Sequence, residues 1–216
     1  MSDFWIEDGE TVLFIGDSIT DCDRRSTGAP LGSGYVGLFA EWATARFPTR
    51  QIRYMNEGIS GNRVTHLRER WRDDVLAHQP DRLSIKIGIN DASSHLRGDE
   101  QGVSPHLFGE YYDEILALTQ QELGCPIVLV TPFYIARTNS GDAYMDQMLE
   151  LLPRYIETVE MLSEKYDTRL VRLHEIFQRQ LEFRDPDQFC PEPVHPNRAG
   201  HMLAQSAKSG RTTYLL

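Results

Sequence analysis

Five apolar, β-rich runs recur along the chain: VLFIG (12–16), IRYMN (52–56), RLSIKIG (82–88), PIVLVTP (126–132) and RLVRL (169–173). Longer stretches of helical period separate them, near 34–46, 64–78, 105–123, 142–166 and 174–183, with a last one from about 196 to 208. Strand alternating with helix leaves few architectures, because each β-α-β connection crosses over right-handed and so lays the strands parallel with helices on both faces. The stretch 105–123 shows the helical logic: Phe108, Tyr112, Ile115 and Leu118/Thr119 share one face, and Ser104-Pro105 supplies a cap and a favourable first residue. The predicted fold class is therefore α/β, a three-layer α/β/α sandwich with a five-stranded parallel sheet. No repeat, low-complexity tract or linker interrupts it, so a single domain over 1–216 is expected. The loop RRSTGAPLGSG (24–34) is read as the most flexible segment, its small residues suited to lying over the sheet edge.

Charge and cysteine usage narrow the function. With 22 basic against 32 acidic residues the net charge is -10, which repels phosphate backbones, so no nucleic-acid partner is expected. The densest basic run, RVTHLRERWRDDV (63–75), is interleaved with Glu69, Asp73 and Asp74 and reads as a solvated helix face. Cys22, Cys125 and Cys190 are odd in number, far apart and without a CxxC, which points to reduced, mostly buried thiols. His66, His78, His95, His106, His174 and His201 show no metal-ligand spacing, and neither metal nor cofactor is expected. There is no apolar stretch of membrane-spanning length, and MSDFWIEDGE lacks a basic start and a hydrophobic signal core, so no membrane association and a cytoplasmic location are expected.

In a sheet of this kind ligands sit outside the carboxyl ends of the strands, so the residues just after each strand carry the interest. Gly16-Asp17-Ser18 follows the first run, NEGISGNRV the second, and GIND (88–91) the third; PEPVHPNRAGH lies near the C-terminus. Together they contain what acyl transfer needs. A serine hydroxyl is a weak nucleophile that requires a base in hydrogen-bond reach, and the base requires a partner that fixes its tautomer. Ser18, His195 and Glu192 can fill those roles. The backbone N–H groups of Gly61 and Ser18 and the side-chain amide of Asn90 are the natural oxyanion donors. The plain alternatives are that Ser18 is a helix N-cap, that Asn90 and Asp91 start a turn, and that Asp17 bonds the surrounding loops. Tyr134, at the end of TPFY, and Trp71 are candidates to line the substrate pocket, though either can equally be packing.

GDSIT, NEGISGN, GIND and E-x-x-H-P resemble, in order, the four sequence blocks of the SGNH (GDSL-type) hydrolases, over residues 12 to 208. The resemblance implies a flavodoxin-like sheet and a serine esterase with Ser18 as nucleophile, Gly61 and Asn90 completing the oxyanion hole, and His195 as base. LFIGDSITDC, ISGN, GIND, TPFYI and VHPxxAGHM look like the acetylxylan-esterase-like subgroup, which implies a small-molecule ester substrate, an acetylated xylo-oligosaccharide. Two departures stand out. Ile19 replaces the leucine of the family name and is expected to pack inward. Glu192 replaces the usual aspartate; its extra methylene and the flanking Pro191 and Pro193 leave open a Ser-His-Glu triad or a dyad with Glu192 turned away. Competing readings are a lysophospholipase, thioesterase or other short acyl-ester hydrolase, a catalytically silent carbohydrate-binding relative, and a nucleotide-binding domain. The last lacks GxGxxG and GxxxxGK[ST], and Asp17 puts an anion where phosphate would sit. A homo-oligomer is left open.

Overall fold

The computed structural model describes residues 5–139 and 141–208; Met1 to Phe4, Ser140 and residues 209–216, which the sequence reading assigned to the same domain, lie outside the described residues. Five parallel strands form one sheet in the order β2-β1-β3-β4-β5: β1 (Thr11–Gly16), β2 (Arg53–Gly58), β3 (Arg82–Lys86), β4 (Ile127–Val130) and β5 (Arg169–Val171). The helices are α1 (Ser18–Asp21), α2 (Tyr35–Arg46), α3 (Val64–Asp74), α4 (Ile89–Leu96), α5 (Pro105–Glu122), α6 (Ala143–Lys165), α7 (Leu173–Leu181) and α8 (Arg198–Lys208). Helix α2 packs with α8 and α8 with α7 in one layer, while α3, α4, α5 and α6 pack among themselves in the other. The three-layer α/β/α sandwich read from the alternation is the fold observed.

Strands β1 and β4 are apolar on both faces because both are covered, whereas β3 alternates, with Leu83 and Ile85 on one face and Arg82, Ser84 and Lys86 on the other. Leu13, Ile15, Leu83, Ile85 and Leu129 are fully buried, and Phe14 points the other way, edge-on to Phe39 of α2. Helix α5 begins as its sequence demands, with Ser104 Oγ accepting from the Leu107 N–H and Pro105 in the first turn. The loop 24–34 lies over edge strand β2, where Asn56 Nδ2 donates to the Leu31 carbonyl and Arg24 Nε to the Gly58 carbonyl. Among the described residues no helix is long and apolar enough to cross a membrane.

Two helices escape the sequence reading. Helix α4 occupies a segment after β3 for which the period predicts no helix; INDASSHL mixes apolar and polar residues, yet Ile89, Asp91, Ala92 and Ser94 are all buried. Helix α1 is a single turn, and its N-cap is Asp17 rather than Ser18. Strand order places the crevice. The chain leaves β1 for β2 on one side and returns to β3 on the other, so the loops after β1 and β3 diverge. Gly16, Gly58 and Lys86 are level in the register, which sets the segments following all three strands on one rim.

Candidate active site

Strand β1 delivers Ser18 to the rim on a rigid platform. A Cβ on Gly16 would stand 2.2 Å from the Lys86 carbonyl oxygen and 2.5 Å from Thr20 Oγ1, so only glycine lets the chain turn this close to β3. Asp17, fully buried, caps the turn by accepting from the Ile19 N–H at 3.0 Å. Its carboxylate also meets Lys86 Nζ at 3.0 Å, and the ammonium sits 4.9 Å from the Phe133 ring centroid. Burial pulls the Lys86 pKa below the ordinary lysine value, and the Asp17 carboxylate opposes that shift. Asp17 is thus the structural hydrogen-bonder expected, but Lys86 went unnoticed in the sequence. A lysine set between Ile85 and Ile87 at the end of a central strand was the available signal. Ile19 packs inward as expected.

At the tip of the turn Ser18 Oγ lies 2.8 Å from His195 Nε2. The opposite ring nitrogen, Nδ1, hydrogen-bonds Glu192 Oε1. A carboxylate only accepts, so Nδ1 carries the proton and Nε2 presents a lone pair to the serine hydroxyl. Glu192 is turned toward the ring. Its extra methylene is absorbed because the chain folds back over the carboxylate, which accepts from the backbone N–H groups of His195 at 2.8 Å and Val194 at 3.0 Å. The segment is anchored to the exit of β4 by the Ile135 N–H donating to the Pro193 carbonyl, and to the start of α8 by Asn197, whose Oδ1 accepts from Ala199 and Gly200. The side chains of His195 and Glu192 are 58% and 48% exposed, so water reaches the pair.

The loop after β2 is tied to the first turn, with Ile59 N–H donating to the Gly16 carbonyl and Ser60 N–H to Asp21 Oδ2. Gly61 has φ +81 with open space where a Cβ would lie, so glycine is required there by backbone conformation, not by crowding. Among the described residues, neither the Gly61 N–H nor the Ser18 N–H has an acceptor. Asn90 Nδ2 donates one hydrogen to the Asn62 carbonyl at 3.0 Å, which leaves its second hydrogen for another acceptor. Beneath it, Asp91 Oδ1 accepts from the Val64 N–H at 2.9 Å, a second tie between the two loops. Burial raises the Asp91 carboxyl from 3.8 to about 7, the Val64 bond opposing. Arg70 completes the support, donating to Asn62 Oδ1 and to the Glu57 carbonyl, both at 2.9 Å. The run 63–75 is therefore not wholly a solvated face: Arg68 and Arg72 point outward, while Arg70 reaches under the rim.

Two clefts open beside these groups. One, of about 510 Å³, is bounded by Gly61 and Asn90 and lined by polar side chains including Arg63, His66, Arg97 and Gln101. The other, of about 470 Å³, lies along Glu192 against Ile135, Met145, Pro186 and Pro191. Neither aromatic candidate lines them. Trp71 is 1% exposed, wedged between α3 and α5 with its indole N–H on Thr119 Oγ1 at 3.0 Å, so it is core packing. The Tyr134 ring is likewise buried, which pushes its phenol up to about 12, and its successors Ile135, Ala136 and Arg137 form the cleft wall instead. All three cysteines are free thiols, Cys190 buried and Cys22 and Cys125 half-buried. Among the described residues no group of three or more His, Cys, Asp or Glu side chains is arranged to hold a metal ion.

Residues 14–203 match the model of the GDSL-like lipase/acylhydrolase family. The acetylxylan esterase of Geobacillus stearothermophilus is 36% identical over 211 residues, covering 94% of this chain and 93% of that protein. A crystal structure of the Geobacillus enzyme superposes with a TM-score of 0.84 at 34% identity over 97% of each chain. Other structures of it are described as catalytic mutants, with alanine replacing a serine near the N-terminus, an aspartate, or a histidine three residues beyond that aspartate. An alpha/beta hydrolase from the metagenome of Lake Arreo in Spain superposes with a TM-score of 0.84 at 32% identity, over 96% of this chain and 98% of that one.

Proposed function

The chain belongs to the GDSL-like lipase/acylhydrolase family, and from that premise we propose that it is a serine esterase that removes acetyl groups from sugar hydroxyls of xylo-oligosaccharides, using Ser18, His195 and Glu192. The observation that carries this reading is the continuous hydrogen-bond chain from Ser18 Oγ through His195 to Glu192, at a crevice edged by the Ser18 and Gly61 N–H groups, which have no acceptor among the described residues.

The chemistry runs in two halves. Ser18 Oγ attacks the acetyl carbonyl carbon as its proton passes to His195 Nε2. Glu192 holds the ring by Nδ1 and stabilises the imidazolium. The carbonyl oxygen becomes an oxyanion that accepts from the Ser18 and Gly61 N–H groups and the unused amide hydrogen of Asn90. Collapse breaks the bond to the sugar oxygen, which takes the proton from His195 Nε2. Water, reaching the exposed histidine, then repeats the sequence on the acetyl-serine and releases acetate. No step in this scheme requires a metal or an organic cofactor. The substrate class is supported by the similarity to the Geobacillus enzyme, one structure of which is described as that of an acetyl-xylooligosaccharide esterase.

The test compares the purified protein on acetylated xylo-oligosaccharides and on a series of esters of increasing acyl length, with Ser18→Ala as control. Acetyl esters are expected to turn over fastest and the variant to lose at least about a thousandfold in kcat while unfolding at the same temperature. Retained activity in Ser18→Ala would remove the serine from its role, and a preference for long acyl chains would replace the deacetylase by a lipase-type or thioesterase-type hydrolase.

A further inference from the structure

His66 lies in the polar cleft beside the oxyanion donors and has no part in the two-step chemistry. It sits in the first turn of α3, where its Nδ1 accepts from the Arg63 backbone N–H at 3.0 Å. A backbone N–H can only donate, so Nδ1 is unprotonated and the proton of the neutral ring is on Nε2. That Nε2–H has no acceptor among the described residues. Burial, and after it the Arg63 charge, lowers the His66 pKa and keeps the ring neutral at pH 7.

The rest of the lining says what the cleft accepts. Arg97 is spent on Asp99 at 2.8 Å, and Arg63 donates to Gln101 through both its backbone carbonyl and its side-chain oxygen. Arg97 and Asp99 already neutralise each other, and an alkyl chain would desolvate the polar lining without replacing its partners. A neutral ligand rich in hydroxyls fits both constraints. The volume of about 510 Å³ is in the range of small-molecule sites.

We propose that this cleft receives the sugar chain that carries the scissile acetyl group, and that His66 is a specificity-determining residue that donates its Nε2–H to a sugar oxygen. The proposal rests on the deacetylase reading and deepens it, since it assigns the polar cleft to the carbohydrate.

The experiment measures kcat/KM for an acetylated xylo-oligosaccharide and for 4-nitrophenyl acetate, and follows the ratio of the two. In His66→Ala the ratio is expected to fall about tenfold, the size of one lost hydrogen bond. His66→Gln should restore it, because glutamine at this position accepts from the helix-capping N–H through its oxygen and offers an amide hydrogen in place of Nε2–H. If His66→Ala lowers both substrates together and leaves the ratio unchanged, His66 is only a helix cap and the proposal is overturned. If His66→Gln folds but keeps the low ratio, the donor role is overturned as well. Failure of the native protein to hydrolyse even 4-nitrophenyl acetate would instead sink the esterase reading, and the proposal with it.

Discussion

Replacing Lys86 with methionine tests the foundation of the site. The ammonium and the Asp17 carboxylate are 1% and 0% exposed, so methionine, similar in length, leaves the cavity filled but strands a carboxylate in it. The chain then has two options. It can keep the charge without its partner, which for buried pairs destabilises by about 3–5 kcal/mol. Alternatively it folds with that carboxyl protonated; against the reference value of about 3.9 for an aspartate in an unfolded chain, this amounts to about 4 kcal/mol at pH 7. Both routes converge on about 4 kcal/mol, or roughly 8–16 °C in melting temperature for a chain of this size. The loss should shrink as pH falls toward 4, where neutralisation becomes nearly free. Asp17→Asn combined with Lys86→Met removes both charges while an amide oxygen still accepts from Ile19, so the double variant should recover most of the stability. Urea denaturation at several pH values measures all of this. A Lys86→Met loss below about 1 kcal/mol at pH 7, or one independent of pH, would refute the argument that the pair holds the Ser18 turn.

Glu192→Gln should lower kcat by about a hundredfold to ten-thousandfold with little change in KM, because a neutral amide neither stabilises the imidazolium nor enforces the tautomer; a native rate in steady-state assays would favour the dyad. Asn90→Ala removes the proposed oxyanion donor and the tie to Asn62, and should reduce kcat by about 10²–10³-fold; a smaller loss on a simple acetyl ester would place the oxyanion elsewhere. Asp91, raised from 3.8 to about 7, is protonated in the folded chain over a pH range where the unfolded chain has already lost its proton. Its contribution is therefore full below about pH 4 and lost as pH rises through about 7, by up to about 4 kcal/mol. Asp91→Asn should flatten that slope in denaturation curves at pH 5 and pH 8, and parallel curves for the two proteins would contradict the shift.

Much of this was legible before any coordinates. The runs of β1 and β4 were the plainest, since a strand covered on both faces shows little polar alternation; β3 alternates and the edge strands β2 and β5 carry arginines, so those were read from their place between helical stretches. Helix α4 was not legible, because its one buried face includes Asp91 and Ser94, polar residues whose bonds to backbone groups make burial tolerable. The four blocks marked Ser18, Gly61, Asn90 and His195. They did not mark Arg70, which looked like one more charge on an amphipathic helix, nor His66, whose value comes from the space it faces. Trp71 and Tyr134 misled for the complementary reason: a large aromatic near a motif has no sequence signature that separates a pocket wall from core.

The order of elements and the chemistry available at their ends were determined by the sequence alone, through hydrophobic period and through residue types that act only in company. Tertiary structure decided who keeps that company. Glu192 faces His195 because the local chain wraps its carboxylate, Lys86 meets Asp17 because β3 lies beside β1, and the polar cleft exists because the segments after β2 and β3 bring Gly61, His66, Asn90 and Arg97 together. Distances between side chains remote in sequence depend on strand order and helix packing, and no local pattern encodes them.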